Sequence, residues 1–442
     1  MSKIAVVGTG YVGAVVAACL ASIGHDVVGV ESNPSRLESL RSGVVPFHEP
    51  GLPELLSSQM EKGSLEFTDS YQDAMDGTAV TFLCVGTPSL PDGSPDTNQI
   101  ENAARSISEW VANPMVVVTK STVPIGSGRW LNELIDGDRV SIASNPEFLR
   151  EGSALKDFLH PDRIVLGSDD AAAIATLVEV YRPIIEQSFT GGRPDHRPGL
   201  VRTNLETAEI VKYAANAFLA MKISFINEVA MLADAVGADV TEVATAIGMD
   251  QRIGSSFLAA GIGWGGSCFG KDLAALQATA RSHGLESLIT GAVVAVNERQ
   301  IDFFVGKLSD QLDLAGATIA LLGLAFKPGT DDLRDAPSLK VARRLIDFGA
   351  TVTAYDPIVT SVPELANLAI APSWTDAVSG ADATVVVTEW DEFLSMNLTT
   401  LADKMAGDLF VDARNAFNVA AVTDAGLSYI GIGRASAHTP QD

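Results

Sequence analysis

Apolar positions along this chain fall into two textures. In the first, short unbroken apolar runs end at glycine and lead into segments with helical periodicity. The opening stretch "KIAVVGTGYVGAVVAACLASIGHDVVGVESNPSR" reads as strand, tight turn, helix and strand. Its first strand is apolar throughout, as a strand buried on both faces is. "TAVTFLCVG", "MVVVTKST" and "VSIASNPEF" repeat the strand pattern, and helical stretches such as "TNQIENAARSISEWVA" separate them. This alternation predicts a parallel, doubly wound sheet.

The second texture begins near residue 190. "TGGRPDHRPGLVRTN", rich in Gly, Pro and Arg, reads as a linker. The run "LETAEIVKYAANAFLAMKISFINEVAMLADAVG" has no Gly or Pro before Gly237, and its Ala, Leu, Lys and Glu favour helix. A helix that long bridges domains or packs on a partner chain. Helical segments continue to about residue 310. The first texture then returns: "ATIALLGLAFKPGTDD" is an apolar strand with a glycine-containing loop, "ATVTAYDP" a strand ending in an acid, and "ADATVVVTEW" and "GDLFVDARN" are further strands. The prediction is an α/β protein with two Rossmann-like domains, 1–200 and 311–442, joined by a central helical region, 201–310. The polar tail "RASAHTPQD" is expected to fray.

Length and composition agree with this picture. A chain of 442 residues exceeds one ordinary core. Its 47% hydrophobic and 19% charged residues suit a packed globular protein. The absence of an apolar run near the roughly 18 residues of a membrane span, and a first strand beginning at Lys3, lead us to expect a cytoplasmic protein with no signal peptide. The net charge of −25 disfavours nucleic acid and anionic membranes, but not a small anionic ligand. Cys19, Cys84 and Cys268 are too few and too scattered for a disulfide framework, and the six histidines lack metal-ligand spacing, so no metal is expected.

Two stretches carry candidate chemistry. In "GTGYVG", Gly8, Gly10 and Gly13 have the spacing of a dinucleotide fingerprint, between a strand and a helix and followed by the acid Glu31 at the end of the second strand. A carboxylate there accepts hydrogen bonds from a ribose and repels a 2′-phosphate, so NAD is expected over NADP, although Arg36 stands where an arginine can hold such a phosphate. Cys84, just after a strand, reads as a small buried residue. In "GIGWGGSCFGKD", residues 261–272, five glycines surround Cys268. They would let the backbone wrap closely around a ligand. Lys271 is a charge of the kind that activates a thiol, and Asp272 would orient a neighbour or activate water. Local sequence leaves open whether Cys268 is a nucleophile or an ordinary thiol on a flexible loop.

Other clusters point the same way. Glu147 and Glu151 share a face if "NPEFLREGSALKDF" is helical. Lys212 and Asn216, four apart on the long helix, would aim an ammonium and an amide in one direction, as an oxyanion site requires. Lys327 and Arg334 lie in a loop after a strand, where open α/β sheets bind ligands.

In order along nearly the whole chain, "GTGYVG", "CVGTP", "KSTVPIG", "PEFLREGSALKDFLHPDRIV", "ETAEIVKYAANAFLAMKISFINE", "RIG", "GWGGSCFGKD", "GLAFKPGTDDLRDAPS" and "DARN" resemble the nucleotide-sugar dehydrogenases, the UDP-glucose/GDP-mannose dehydrogenase family. The resemblance implies NAD held by the first domain and a UDP-sugar mainly by the last. It implies that Gly8, Gly10, Tyr11, Val12, Gly13, Glu31, Arg36, Thr87, Thr122, Glu151, Lys271 and Arg334 form the NAD site. The sugar nucleotide would meet Glu147, Phe148, Leu149, Arg150, Glu151, Lys212, Asn216, Phe257, the loop from Ala259 to Gly265, Phe326 and Lys327. Arg252 and Arg414 would reach it too, one or both from a partner subunit of a homodimer whose interface includes the long helix.

The expected activity is NAD-dependent, four-electron oxidation of UDP-glucose to UDP-glucuronate. Cys268 would be the nucleophile, Lys212 and Asn216 the oxyanion site, Asp272 an orienting group, Glu147 the general acid/base, and Thr122 a holder of water. Departures from the family pattern are Trp264 where Phe or Tyr is usual, Gly270 where Pro or Gln is common, and Glu31 for a more usual Asp. Ser267 and Phe269 favour UDP-glucose over the alternatives, UDP-N-acetylhexosamines and GDP-mannose.

Overall fold

The structure, a computed structural model, describes residues 2–135 and 139–436, so the end of the polar tail, 437–442, lies outside the described residues. Arg434, counted with that tail by sequence, is tied down: its guanidinium donates to Asp239 at 3.2 Å and to the Tyr429 hydroxyl at 3.0 Å. The chain divides into two compact units, Met1–Ala215 with Ala274–Leu285, and Asn216–Leu273 with Glu286–Asp442.

The first unit holds an eight-stranded sheet: β1 (Lys3–Val7), β2 (Asp26–Val30), β3 (Leu65–Thr68), β4 (Val80–Leu83), β5 (Met115–Thr119), β6 (Val140–Ser144), β7 (Arg163–Gly167) and β8 (Gly199–Thr203). Their order across the sheet is 3-2-1-4-5-6-7-8. The pairing is parallel except where β7 turns antiparallel to β6. Alternate residues of β1 explain its unbroken apolarity: Ile4 and Val6 enter one core, Ala5 and Val7 the other. Burying each large aliphatic side chain contributes about 1.5–3 kcal/mol.

β8 corrects the linker reading of "TGGRPDHRPGLVRTN". Its last part pairs in register with β7 along the whole of Gly199–Thr203. An edge strand with exposed Gly199, Val201 and Arg202 lacks the apolar alternation by which a strand is read from sequence.

The second unit holds six parallel strands: β9 (Thr318–Leu322), β10 (Thr351–Tyr355), β11 (Ala369–Ile370), β12 (Ala383–Val386), β13 (Leu409–Asp412) and β14 (Ser428–Ile430). Their order, 11-10-9-12-13-14, repeats the 3-2-1-4-5-6 winding of the first sheet. In each sheet the order reverses beside the first strand, and the crevice at such a switch point is where doubly wound sheets take ligands. One core of this unit includes Ile226, Ala230 and Ala233 of the long helix Leu205–Val236, and Phe304 and Leu308 of the helix Leu288–Ser309.

Candidate functional site

At the end of β1 the chain turns through Gly8 and enters the helix Tyr11–Ser22 at Gly10. Gly8 is left-handed (φ 87°), and a Cβ there would stand 2.8 Å from Val85 in the loop after β4. A Cβ on Gly13 would meet the Gly8 carbonyl oxygen at 1.8 Å, whereas one on Gly10 meets nothing within 4 Å. Gly8 and Gly13 are thus demanded by the protein, and Gly10 leaves a helix N-terminus open to an anionic group. Glu31, buried at the end of β2, accepts from the Thr9 hydroxyl at 2.9 Å and the Asn33 N–H at 2.8 Å, and pairs with Arg36 at 3.4 Å. These residues fit a dinucleotide with an unphosphorylated ribose. The Thr87 hydroxyl donates to the Thr122 carbonyl at 2.8 Å, joining the loops after β4 and β5. Val12 follows Tyr11 in the first turn of the helix, and the Tyr11 hydroxyl donates to Glu49, whose carboxylate also accepts the Gly152 and Ala154 N–H groups at 2.6 and 2.8 Å.

Glu147 and Glu151 are not one turn apart on a helix, contrary to the sequence reading. The chain from Asn145 to Arg150 is irregular, and the helix begins only at Ala154. Pro146 removes a backbone donor, the Glu147 carboxylate accepts the Leu149 N–H at 2.6 Å, and Asp157 takes the Arg150 N–H at 2.9 Å, so local side chains replace helical bonds. Glu147 lies buried and pairs with Lys212 at 2.6 Å. Burial raises the Glu147 pKa, but the Lys212 charge and hydrogen bond, the Leu149 N–H and Lys120 together hold it below the ordinary carboxylate value. Phe148 stacks on Arg163, with the guanidinium 3.8 Å from the ring centre, and lies 5.8 Å from the Lys212 ammonium. Arg150 pairs with Asp157.

Lys120 was missed from sequence. It is buried at the end of β5, donates to Asn145 Oδ1 at 2.9 Å, and burial pushes its pKa down to about 8. The Tyr181 hydroxyl donates to the same oxygen at 2.6 Å. The available signal was a lysine directly continuing the apolar run "MVVVTK". Cys84 is buried, and desolvation raises its pKa to about 12, as suits a packing residue.

In the second unit, Cys268 is partly exposed and its carbonyl accepts the Asp272 N–H at 2.9 Å, opening the helix Phe269–Ser282. Cys268 Sγ lies 3.5 Å from the Ser267 hydroxyl. Asp272, fully buried, accepts from Asn216 Nδ2 at 2.6 Å and Lys271 Nζ at 2.7 Å. The thiol thus stands at the N-terminus of a helix whose first turn carries Asp272, a carboxylate that holds an amide and an ammonium.

The glycines before the thiol answer to protein rather than to open space. Cβ atoms on Gly265 and Gly266 would meet the Asp335 carbonyl oxygen at 2.2 Å and Phe326 at 2.7 Å. The protein itself therefore requires glycine at both positions. On the loop after β9, Lys327 lies 5.4 Å from the Phe326 ring centre and Arg334 pairs with Asp332 at 2.7 Å. Arg414, after β13, pairs with Glu389 through bonds of 2.6 and 3.1 Å. Arg252 is exposed and pairs with Asp250. Phe257 holds a left-handed φ of 64°, rare for a bulky residue and of a kind that clusters at ligand sites.

The candidate residues therefore divide. The fingerprint, Glu31, Arg36, Thr87, Thr122, the 147–151 segment and Lys212 belong to the first unit. Asn216, Arg252, Phe257, the 259–272 loop and helix start, Phe326, Lys327, Arg334 and Arg414 belong to the second. Among the described residues no cluster of His, Cys, Asp and Glu could hold a metal ion, and no helix is long and apolar enough to cross a membrane.

Three family models cover most of the chain: the NAD binding domain of the UDP-glucose/GDP-mannose dehydrogenase family matches residues 2–185, its central domain 206–299 and its UDP binding domain 320–419. The chain is 44% identical over 443 residues to a UDP-glucose 6-dehydrogenase of Rhizobium meliloti, covering 98% of this chain and 99% of that one. Its fold matches a UDP-glucose dehydrogenase from Pyrobaculum islandicum at TM-score 0.87 and 39% identity, covering 98% of each chain. A UDP-D-ManNAc dehydrogenase from Pyrococcus horikoshii matches at TM-score 0.85 and 30% identity, over 98% of this chain and 99% of that one.

Proposed function

We propose that this chain, which belongs to the UDP-glucose/GDP-mannose dehydrogenase family and is an NAD-dependent oxidoreductase, oxidises UDP-glucose to UDP-glucuronate through a covalent intermediate on Cys268. The observation that carries the reading is the partly exposed thiol at the start of the helix that also bears Lys271 and Asp272, where Asp272 accepts from Asn216 and Lys271. A dehydrogenase that removes one hydride has no use for such a thiol.

Turning a primary alcohol into a carboxylate removes two hydrides; the fingerprint, Glu31 and Thr87 would hold NAD, which would supply the hydride acceptor for each removal. Lys212 and Asn216 stabilise the oxyanions formed at the sugar carbon. Cys268 adds to the intermediate aldehyde, forming a C–S bond and a thiohemiacetal, so that the half-oxidised sugar is retained. Loss of the second hydride leaves a thioester. Water, with Thr122 holding it, attacks this thioester; the C–S bond breaks, the carboxylate leaves, and the thiol is restored. Glu147, buried and held by Lys212 at 2.6 Å, is assigned as the base that takes a proton from that water. Asp272 orients Asn216 and Lys271.

For the UDP-sugar we assign Phe257, the 259–265 loop, Phe326, Lys327 and Arg414, with Arg252 reaching it from a partner subunit. A homodimer finds support in Phe218, Phe225 and Leu232, exposed at seven-residue intervals on the long helix. The absence of a disulfide among the described residues suits a reducing, cytoplasmic setting. The higher identity to a UDP-glucose than to a UDP-D-ManNAc enzyme favours glucose as the sugar.

The test is stoichiometry. Purified protein with NAD and UDP-glucose is expected to form two NADH and one uronate per sugar, by absorbance and mass spectrometry. Cys268→Ser is expected to lose at least about a hundredfold in uronate formation. One NADH per sugar, or uronate formation by Cys268→Ser at the wild-type rate, would overturn the covalent scheme.

A further inference from the structure

The loop ahead of Cys268 is held by buried amides rather than by secondary structure. Asn297 accepts the Trp264 N–H at 2.8 Å and donates to the Trp264 carbonyl at 3.0 Å, saturating one residue's backbone as a neighbouring strand would. Three residues earlier the pattern repeats with two side chains: Asn227 accepts the Gly261 N–H at 2.9 Å, and Gln300 donates to the Gly261 carbonyl at 2.7 Å. Asn227 belongs to the long helix, and Asn297 and Gln300, one turn apart, to the helix Leu288–Ser309. Asn227 and Gln300 are fully buried, and each keeps one polar atom without a partner, Asn227 Nδ2 and Gln300 Oε1. An unpaired buried polar atom costs about 1–3 kcal/mol. Packing alone would be served as well by aliphatic side chains, so these amides are suited to holding a backbone at a set position.

Two further features tie the held loop to the thiol. The Trp264 indole N–H donates to the Ser224 hydroxyl at 3.0 Å, and that hydroxyl donates to the Val293 carbonyl at 2.9 Å. The Trp264 ring meets Phe269, the residue after Cys268, edge-on with centroids 6.1 Å apart. Between the two clamped residues, Gly263 is left-handed (φ 100°), and a Cβ on it would stand 2.6 Å from Asn297 Oδ1. Glycine at 263 is therefore imposed by the amide that grips the loop.

We propose that Asn227, Asn297, Gln300 and Ser224 are positioning residues: a buried bracket that fixes the Gly261–Trp264 backbone and, through Trp264 and Phe269, the placement of Cys268 against the sugar. The proposal rests on the reading that this loop meets the sugar and that Cys268 is the nucleophile. It adds that Trp264 is matched to Ser224, because an indole supplies the N–H that a phenylalanine at 264 lacks.

The experiment uses the full-length protein carrying Asn297→Ala, Asn297→Asp, Gln300→Leu or Ser224→Ala. Hydrogen exchange at residues 260–268 of the resting protein and steady-state kinetics are both measured. For Asn297→Ala, exchange in this segment is expected to speed about tenfold or more while the rest of the second unit is unchanged. The KM for UDP-glucose should rise about tenfold, or kcat fall as far, with the KM for NAD within twofold. Asn297→Asp, equal in volume and able to accept but not to donate when ionised, should fall between wild type and Asn297→Ala. Ser224→Ala is the mildest change and the variant to read if the others do not fold.

Unchanged exchange at 260–268 in a folded Asn297→Ala variant would overturn the bracket. So would a rise in both KM values together, in step with a lower Tm. A wild type that forms no NADH with any nucleotide sugar would instead overturn the functional reading, because exchange is measured without substrate.

Discussion

The two sheets share a winding order and end their second strands in an acid, yet the two acids do different work. Glu31, after β2, accepts a hydroxyl, one backbone N–H and, at 3.4 Å, the Arg36 guanidinium, beside the short Gly8–Gly10 turn that delivers the chain straight into a helix. Asp356, after β10, accepts five donors: the N–H groups of Leu324, Ala325, Ile358 and Val359, at 2.7–3.2 Å, and the Trp390 indole at 3.1 Å. With β9 ending at Leu322 and the next helix starting only at Pro337, the second unit does not lead its first strand straight into a helix. Its acid instead pins the long loop that bears Phe326, Lys327 and Arg334. One winding thus carries a glycine fingerprint opening a helix in one unit and a long loop clasped by its acid in the other, with three donors on Glu31 and five on Asp356.

Removing each acid in turn is the sharpest way to break this comparison. Asp356→Ala orphans several buried donors, at about 1–3 kcal/mol each, and should cost several kcal/mol in denaturant unfolding while leaving the affinity for NAD within twofold. Comparable losses of NAD affinity in Asp356→Ala and Glu31→Ala would sink the distinction. Next in size, Gly8→Ala forces a left-handed turn onto a Cβ facing Val85 at 2.8 Å. It should lower stability by about 1–3 kcal/mol and abolish saturable NAD binding in calorimetry. Glu31→Ala should weaken NAD binding about tenfold, or about 1.4 kcal/mol, and raise the use of NADP relative to NAD. An unchanged cofactor preference would remove the role given to its charge.

Carboxylates with fewer donors extend the contrast. Glu209, buried on the long helix, accepts the Gly126 and Gly128 N–H groups, and burial outweighs them, raising its pKa from 4.5 to about 7. The folded state therefore holds this proton more tightly than the unfolded state. The stabilisation is fully present below pH 4.5 and is lost as pH rises through about 7. Melting curves across that window should show stability falling with pH, less steeply in Glu209→Gln; identical slopes would refute this. The smallest change is Gly270→Ala, in the first turn of the thiol-bearing helix. A Cβ there has nothing closer than 3.5 Å, so alanine should add about 0.5–1 kcal/mol of stability. A loss would mean that the turn after Cys268 needs a glycine.

Much of this was legible in the chain. Buried parallel strands have no polar face, so their unbroken apolar runs located β1, β4, β5, β9, β12 and β13. The fingerprint carried its own context of strand, turn and helix. Strand β8 was not legible, because an edge strand makes its hydrogen bonds with residues that are indifferent to burial. Lys120 was passed over because a buried lysine differs from a surface one only in the neighbours that surround it. The 147–151 segment was misjudged because four-residue spacing signals a helical face only if a helix exists, and Asn145–Pro146 and the Glu147 side chain prevent one.

By itself the sequence determined the two doubly wound halves, the long helix between them, the dinucleotide fingerprint and the family, since each depends on local pattern or on motifs in order. Only tertiary structure decided which glycines leave room and which are pressed against protein, how many donors each strand-end acid accepts, and that Asn227, Asn297 and Gln300 grip the loop before Cys268. Those outcomes depend on atoms brought together from distant parts of the chain, and a hydrogen bond between residues tens of positions apart leaves no periodicity to read.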